Sequence, residues 1–234
     1  MYFYTLYYII MADKKSQATF DSIMRDLKAK KYAPVYVLMG DESYYIDKIS
    51  DYIAENVLEP DDRDFNQTIV FGADVTAVQI ADLAKGYPVM PSQYRVVIVK
   101  EAQGLKSLDA LERYFEKPLK STILVICYKN GTIDKRKKVI GKAEAVGVVF
   151  ESKKKRDYEL PAFIESYLKG KHVAIDPKSC SMIAEHIGAD LYCALPIADK
   201  ILNLVAHCSG SVAYEGPLLA FIAIEAGVEA QHCL

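Results

Sequence analysis

Short runs of unbroken apolar residues, separated by segments with helical spacing, constrain this chain more than any other feature. "VYVLM" (35–39), "QTIVF" (67–71), "RVVIV" (95–99) and "STILVICY" (121–128) are the clearest of these runs. A strand that is apolar at every position needs cover on both faces, which is the signature of a parallel sheet between helical layers. "VVF" (148–150) closes the series, so a parallel sheet is predicted over about Pro34 to Glu151.

The intervening segments carry the helical period. In "TFDSIMRDLKAKK" Phe20, Ile23, Met24 and Leu27 share one face, and Thr19 is the predicted cap. "ESYYIDKISDYIAENVL" aligns Tyr45, Ile49, Tyr52 and Ile53. "TAVQIADLAKG" turns Val78, Ile80 and Leu83 inward and stops at Gly86. "LDALERYFE" predicts a short helix and "IDKRKKVIGKAEAVG" a basic one.

Four domains or segments follow from these shifts. Residues 1–18 form an N-terminal extension, 19–152 the sheet domain, 153–190 a small helical domain and 191–234 a divergent tail poor in charge. The link "ESKKKRDYE" (151–159) is expected to be exposed, because successive basic residues cannot be buried without partners. "ELPAFIESYLKGK" and "DPKSCSMIAEHIG" read as the helices of the second domain. In the tail, "LLAFIAIEAG" is about half a membrane span, which takes about 20 residues, and reads either as a buried helix or as a non-native reading frame. The apolar, tyrosine-rich first ten residues are also too short to span a bilayer and lack the basic start of a secretory signal. Met11 is the expected start, with a membrane-surface anchor as the lesser reading.

Charge and cysteine usage exclude several classes. The net charge of −2 does not suit a protein that coats nucleic acid, so any DNA contact must be local. The five cysteines (Cys127, Cys180, Cys193, Cys208, Cys233) show no CxxC pair, which argues against a disulfide framework and a zinc site and for a reducing cytoplasm. The four histidines (His172, His186, His207, His232) have no ligand spacing. No metal and no cofactor is expected.

Two positions where a nucleotide hydrolase would carry its chemistry are informative. A phosphate-binding loop after the first strand needs several glycines, a lysine and a Ser or Thr for magnesium. Here "GDESYYIDK" has Gly40 alone, with Asp41 and Glu42 where phosphate would sit. A tight turn with acidic helix capping fits better. The third strand, "RVVIVKEAQGL", has the form of a magnesium-holding strand, but Lys100 takes the first acidic position and only Glu101 remains. No catalytic residue is therefore assigned.

"APVYVLMGDESYYIDKISDYI", "YPVMPSQYRVVIVKEAQGL" and "IDKRKKVIGKAEAVGVVFE", in this order, resemble the delta subunits of bacterial DNA polymerase III, from about Thr19 to Leu191. The resemblance implies an AAA+-like, P-loop NTPase-type parallel sheet that hydrolyses no ATP, followed by a helical lid and collar. It implies a non-catalytic subunit of a DNA-directed DNA polymerase holoenzyme, a cytoplasmic clamp-loader component that binds the beta sliding clamp and helps open it for loading onto primed DNA. Its implied partners are that clamp, delta-prime, tau/gamma, and primer-template DNA within the complex, with no membrane. Asp190, Leu191, Asp199 and Lys200 fall where the family has a collar helix, and the chain stops short of a full collar.

The family's clamp-binding pair maps onto Val89 and Met90, between Pro88 and Pro91, which hold the stretch out of regular structure. The family often carries a Leu-Phe-like pair here, so Val-Met is a softer plug. From the residues alone, the pair could equally tuck under the sheet edge. Lys135, Arg136, Lys137 and Lys138, with the run Lys153 to Arg156, are the strongest basic runs. They read as a solvated helix face or as a weak phosphate contact with DNA. A diverged P-loop nucleotide-binding enzyme and a stand-alone regulatory binding module are the alternatives.

Overall fold

The computed structural model describes residues 18–170, 175, 177–187 and 191. The start at Met11, the tail beyond Leu191 with Asp199 and Lys200, and His172, His207 and His232 lie outside the described residues. The chain divides into two compact units between Lys153 and Lys154.

In the first unit, five strands form one parallel sheet: β1 (Val35–Gly40), β2 (Gln67–Phe71), β3 (Arg95–Lys100), β4 (Thr122–Lys129) and β5 (Val148–Ser152). Their order is β2-β3-β4-β1-β5, so β2 and β5 are the edges. Leu38 lies opposite Cys127 on β4 and Phe150 on β5, and Ile69 on β2 lies opposite Ile98 on β3. Successive side chains point to opposite faces, and each face has its own cover. Helices α1 (Phe20–Lys28) and α2 (Ser43–Asn56) bring Ile23, Leu27, Ile46, Ile49 and Ile53 onto Leu38, Ile98, Val125 and Cys127. On the other face, α4 (Ala77–Ala84), α5 (Glu112–Glu116) and α6 (Lys138–Val146) cover Val37, Val97, Val99 and Ile126. Each fully buried Ile, Leu or Val in these layers contributes about 1.5–3 kcal/mol. A one-turn helix, α3 (Arg63–Asn66), leads into β2.

Local chemistry sets the helix starts. Thr19 accepts from Ser22 N–H while the Ser22 hydroxyl meets the Thr19 backbone, a reciprocal capping box, and Thr76 and Gln79 repeat it at α4.

Several elements differ from the sequence-based expectation. The basic helix starts at Lys138 rather than Ile133: Asp134 accepts the Arg136 N–H at 2.9 Å, a local bond that competes with helix formation. On α4 the inward stripe is Ala77, Ile80, Ala81 and Ala84, with Leu83 packed at its side, while Val78 is exposed. Small residues let the helix lie close on the sheet, and that spacing leaves Val78 outside. On α2, Ile46 joins the buried face that Tyr45 and Tyr52 flank. "LDALERYFE" divides into a 3-10 turn, Asp109–Leu111, and α5. Strand β5 runs on to Ser152, so Glu151 and Ser152 belong to the sheet, and Ser152 is buried. Beyond it, Lys153, Lys154 and Arg156 are exposed, and Lys155 is half-buried with its ammonium 4.6 Å from the Phe163 ring centroid.

The second unit contains α7 (Leu160–Gly170) and α8 (Pro177–Ile187). Leu160, Ile164 and Leu168, at four-residue spacing, are buried on α7, and Cys180, Ile183 and Ala184 on α8.

Candidate partner-binding site

The carboxyl ends of the strands are where open α/β sheets hold ligands. In this chain they carry a tight turn and a set of paired charges. Gly40 has φ +135°, and a Cβ there would lie 2.0 Å from the Ser152 carbonyl oxygen, so only glycine fits the turn. Asp41 N–H closes it on the same carbonyl at 3.2 Å. Glu42, nearly buried, accepts from Tyr44 N–H at 3.2 Å and caps α2. At the end of β4, the Lys129 ammonium sits 2.9 Å from Asp47 Oδ1 and 3.1 Å from Glu101 Oε1. Gln103 accepts the Lys129 N–H at 3.1 Å and donates to Glu101, which stands in the left-handed region at φ 52°. Lys100 reaches Asp51 at 3.1 Å. Burial pulls the Lys129 pKa down, but the bonds from Asp47 and Glu101 outweigh it and hold the ammonium above the ordinary lysine value. These charges answer one another, and two acidic residues, Asp41 and Glu42, stand where a phosphate loop would be.

The amino end of the sheet is arranged differently. Between α4 and β3, residues 85–94 form a loop tied at several points. The Tyr114 hydroxyl donates to the Ala84 carbonyl and the Thr122 hydroxyl to the Gly86 carbonyl, both at 3.2 Å. Gly86 backs onto the Arg95 guanidinium, whose atoms would lie 3.0–3.3 Å from a Cβ. Asn66, which is 1% exposed, grips Val89 twice: its amide donates to the Val89 carbonyl at 3.0 Å, and its carbonyl accepts the Val89 N–H at 2.6 Å. Ser92 N–H donates to the same Val89 carbonyl at 3.2 Å, closing a turn that contains the cis Met90–Pro91 peptide. Held in this way, Val89 is 51% exposed and Met90 85%. Tyr87 and Phe65 nearby in sequence to Val89 and Asn66 are also largely exposed. Asn66 carried no signal in the sequence, because its partner is backbone at a distance of 23 residues.

The basic residues lie elsewhere, beyond the carboxyl end of β4. Lys135 through Lys138 are all exposed. Lys135 pairs with Glu151 at 2.5 Å and Arg136 with Asp134 at 2.8 Å. The sheet therefore does not bring the apolar pair and the basic run together.

The family model described as "DNA polymerase III, delta subunit" matches residues 36–153, just over half of the 234 residues. The chain belongs to this family. Its sheet is parallel and covered by helices on both faces, as the resemblance implied. The DNA polymerase III subunit delta of Bacillus subtilis is 27% identical over 176 residues, 70% of this chain and 49% of that protein. The delta-family chain thus spans about half the length of the curated relative it matches. The solved DNA clamp loader delta protein of Bacillus subtilis superposes with a TM-score of 0.69 at 21% identity, over 80% of this chain and 58% of that one. Among the described residues, no helix is long and apolar enough to cross a membrane.

Proposed function

We infer that this chain works as a clamp-loader subunit in the cytoplasm. It binds the beta sliding clamp with Val89 and Met90 and helps open the ring for loading onto primed DNA, without hydrolysing ATP itself. The observation that carries the reading is the pair of apolar residues displayed on a tied loop, 51% and 85% exposed. A polar surface loses little by facing water, but an apolar pair presented by buried anchors suits a partner's pocket. Non-hydrolysis is supported by Lys129, which holds Asp47 and Glu101 where phosphoryl transfer would need magnesium and phosphate. In this reading delta-prime and tau/gamma complete the loader, and Lys135 to Lys138 contribute at most a weak contact to primer-template DNA. The test is calorimetry of the purified chain with the beta clamp of the same cell, alongside the Val89→Ala/Met90→Ala variant and an ATP titration. Clamp binding that survives the double substitution would overturn the site, and ATP binding would favour the nucleotide-enzyme alternative.

A further inference from the structure

We propose that Asn66 is the positioning residue of the apolar plug: it fixes the Val89 backbone so that the two side chains are presented to the clamp already in place. This rests on the clamp reading above. The geometry is specific. A buried side-chain amide has one donor and one acceptor edge, and both are used on the donor and acceptor of a single residue, Val89 N–H at 2.6 Å and Val89 carbonyl at 3.0 Å. The amide thus imitates a neighbouring strand for one residue of an otherwise irregular loop. The foot of the loop has its own ties at Ala84 and Gly86, and its exit has Ser92 on Tyr94 at 2.9 Å. Asn66 is the side chain that holds the residue bearing the plug itself. Without it, Val89 and Met90 would sample many positions, and binding would have to order them first, which weakens affinity with no change in the contacts made.

The experiment compares the full chain with Asn66→Ala, Val89→Ala/Met90→Ala and the triple variant, by clamp affinity and by amide hydrogen exchange. Asn66→Ala should weaken clamp binding about three- to tenfold, the worth of one or two net hydrogen bonds. The triple variant should bind no worse than the double, since a presenter has nothing to add once the plug is gone. Exchange at the Val89 amide should quicken in Asn66→Ala while the amides of Val97 and Leu124 keep their rates, a pattern that general destabilisation would not produce. Wild-type affinity in Asn66→Ala, or a full additive loss in the triple variant, overturns the proposal. If the double variant binds the clamp as the unaltered chain does, the clamp reading falls and the proposal with it. If the double variant fails to bind and Asn66→Ala binds normally, only the role of Asn66 falls. Should Asn66→Ala not fold, Asn66→Asp keeps the acceptor for Val89 N–H and loses the donor to its carbonyl. Unchanged affinity in that variant is equally fatal.

Discussion

At the carboxyl ends of β1, β3 and β4 the charged side chains satisfy one another, whereas at the amino ends of β2 and β3 apolar side chains are left in water. Lys129 meets Asp47 and Glu101, and Lys100 meets Asp51. Val89 and Met90, with buried Asn66 beneath them, meet nothing comparable to the layers that bury Ile98 or Val125. One end is polar and closed on itself; the other is apolar and open. Ion pairs within the chain at the carboxyl ends, and exposed hydrophobic residues on a braced loop at the other, are the two features on which the proposed clamp contact rests.

The first way to break this contrast is to remove the exposed pair Val89 and Met90. Burying Val89 and Met90 on a partner is worth about 1.5–3 kcal/mol for each side chain if burial is complete. Val89→Ala/Met90→Ala should therefore weaken clamp binding on the order of tenfold to several hundredfold. Thermal stability should hardly move, since side chains this exposed add little to the core. A fallen melting temperature with intact clamp affinity would show instead that the pair is packing material.

The second variant attacks the closed end. Lys129→Met leaves Asp47 and Glu101 facing each other without their common cation, at a cost of about 1–3 kcal/mol in urea unfolding. Clamp affinity should stay at the wild-type value, because the plug lies at the other end of the strands. The pH dependence follows from the raised Lys129 pKa. Its contribution is complete below the ordinary lysine value and is lost only as pH rises through the higher folded value. On the alkaline side the stability gap between wild type and Lys129→Met should thus be constant through neutral pH and narrow in strong alkali. A gap already closing near neutrality would contradict the ion-pair assignment.

Both ends were unevenly legible in the sequence, for physical reasons. "VYVLM", "RVVIV" and "STILVICY" announce a doubly covered sheet because every position in them needs an apolar neighbour. "QTIVF" reads the same way, yet it became an edge strand with Ile69 and Phe71 about half exposed. A strand's composition cannot tell how far the helices of the second layer reach, and α1 and α2 stop short of β2. Val78 outranks alanine in hydrophobicity, but the close approach of α4 is made by Ala77, Ala81 and Ala84. The exposed pair Val89 and Met90 was visible as two apolar residues between two prolines. Asn66 was not, because it recognises backbone, which every residue carries.

A third measurement reports on the layer joining the two ends. Cys127 is fully buried under α2, and burial pushes its thiol up to about 12. Alkylation at neutral pH should therefore require local opening of α2 from β4, followed residue by residue through the Cys127 peptide. Lys129→Met removes the tie from β4 to Asp47 on α2, so Cys127 labelling should quicken roughly tenfold. Val89→Ala/Met90→Ala should leave that rate unchanged. Equal acceleration in both variants would mean that the two ends are not independent.

The smallest effect is expected at the basic run. Lys135 and Arg136 are engaged by Glu151 and Asp134, which neutralise much of their charge toward a third party. Lys137 and Lys138 are exposed at the start of α6 and are the better candidates for a phosphate. Each phosphate contact contributes about 0.9 to the slope of log affinity against log salt. Lys137→Ala/Lys138→Ala in the assembled loader should therefore flatten that slope for primed DNA by up to about two, and cost only about two- to fivefold in affinity near physiological salt. Lys135→Ala/Arg136→Ala should flatten the slope less, because those cations are already engaged by Glu151 and Asp134 and are less available to a phosphate. Both variants should bind the clamp normally, the run being at the opposite end of the sheet from Met90. An unchanged salt slope in Lys137→Ala/Lys138→Ala would remove DNA from the partners of this surface and leave it as solvated charge. A slope change larger in the Lys135→Ala/Arg136→Ala variant would show that the ion pairs give way to phosphate on binding.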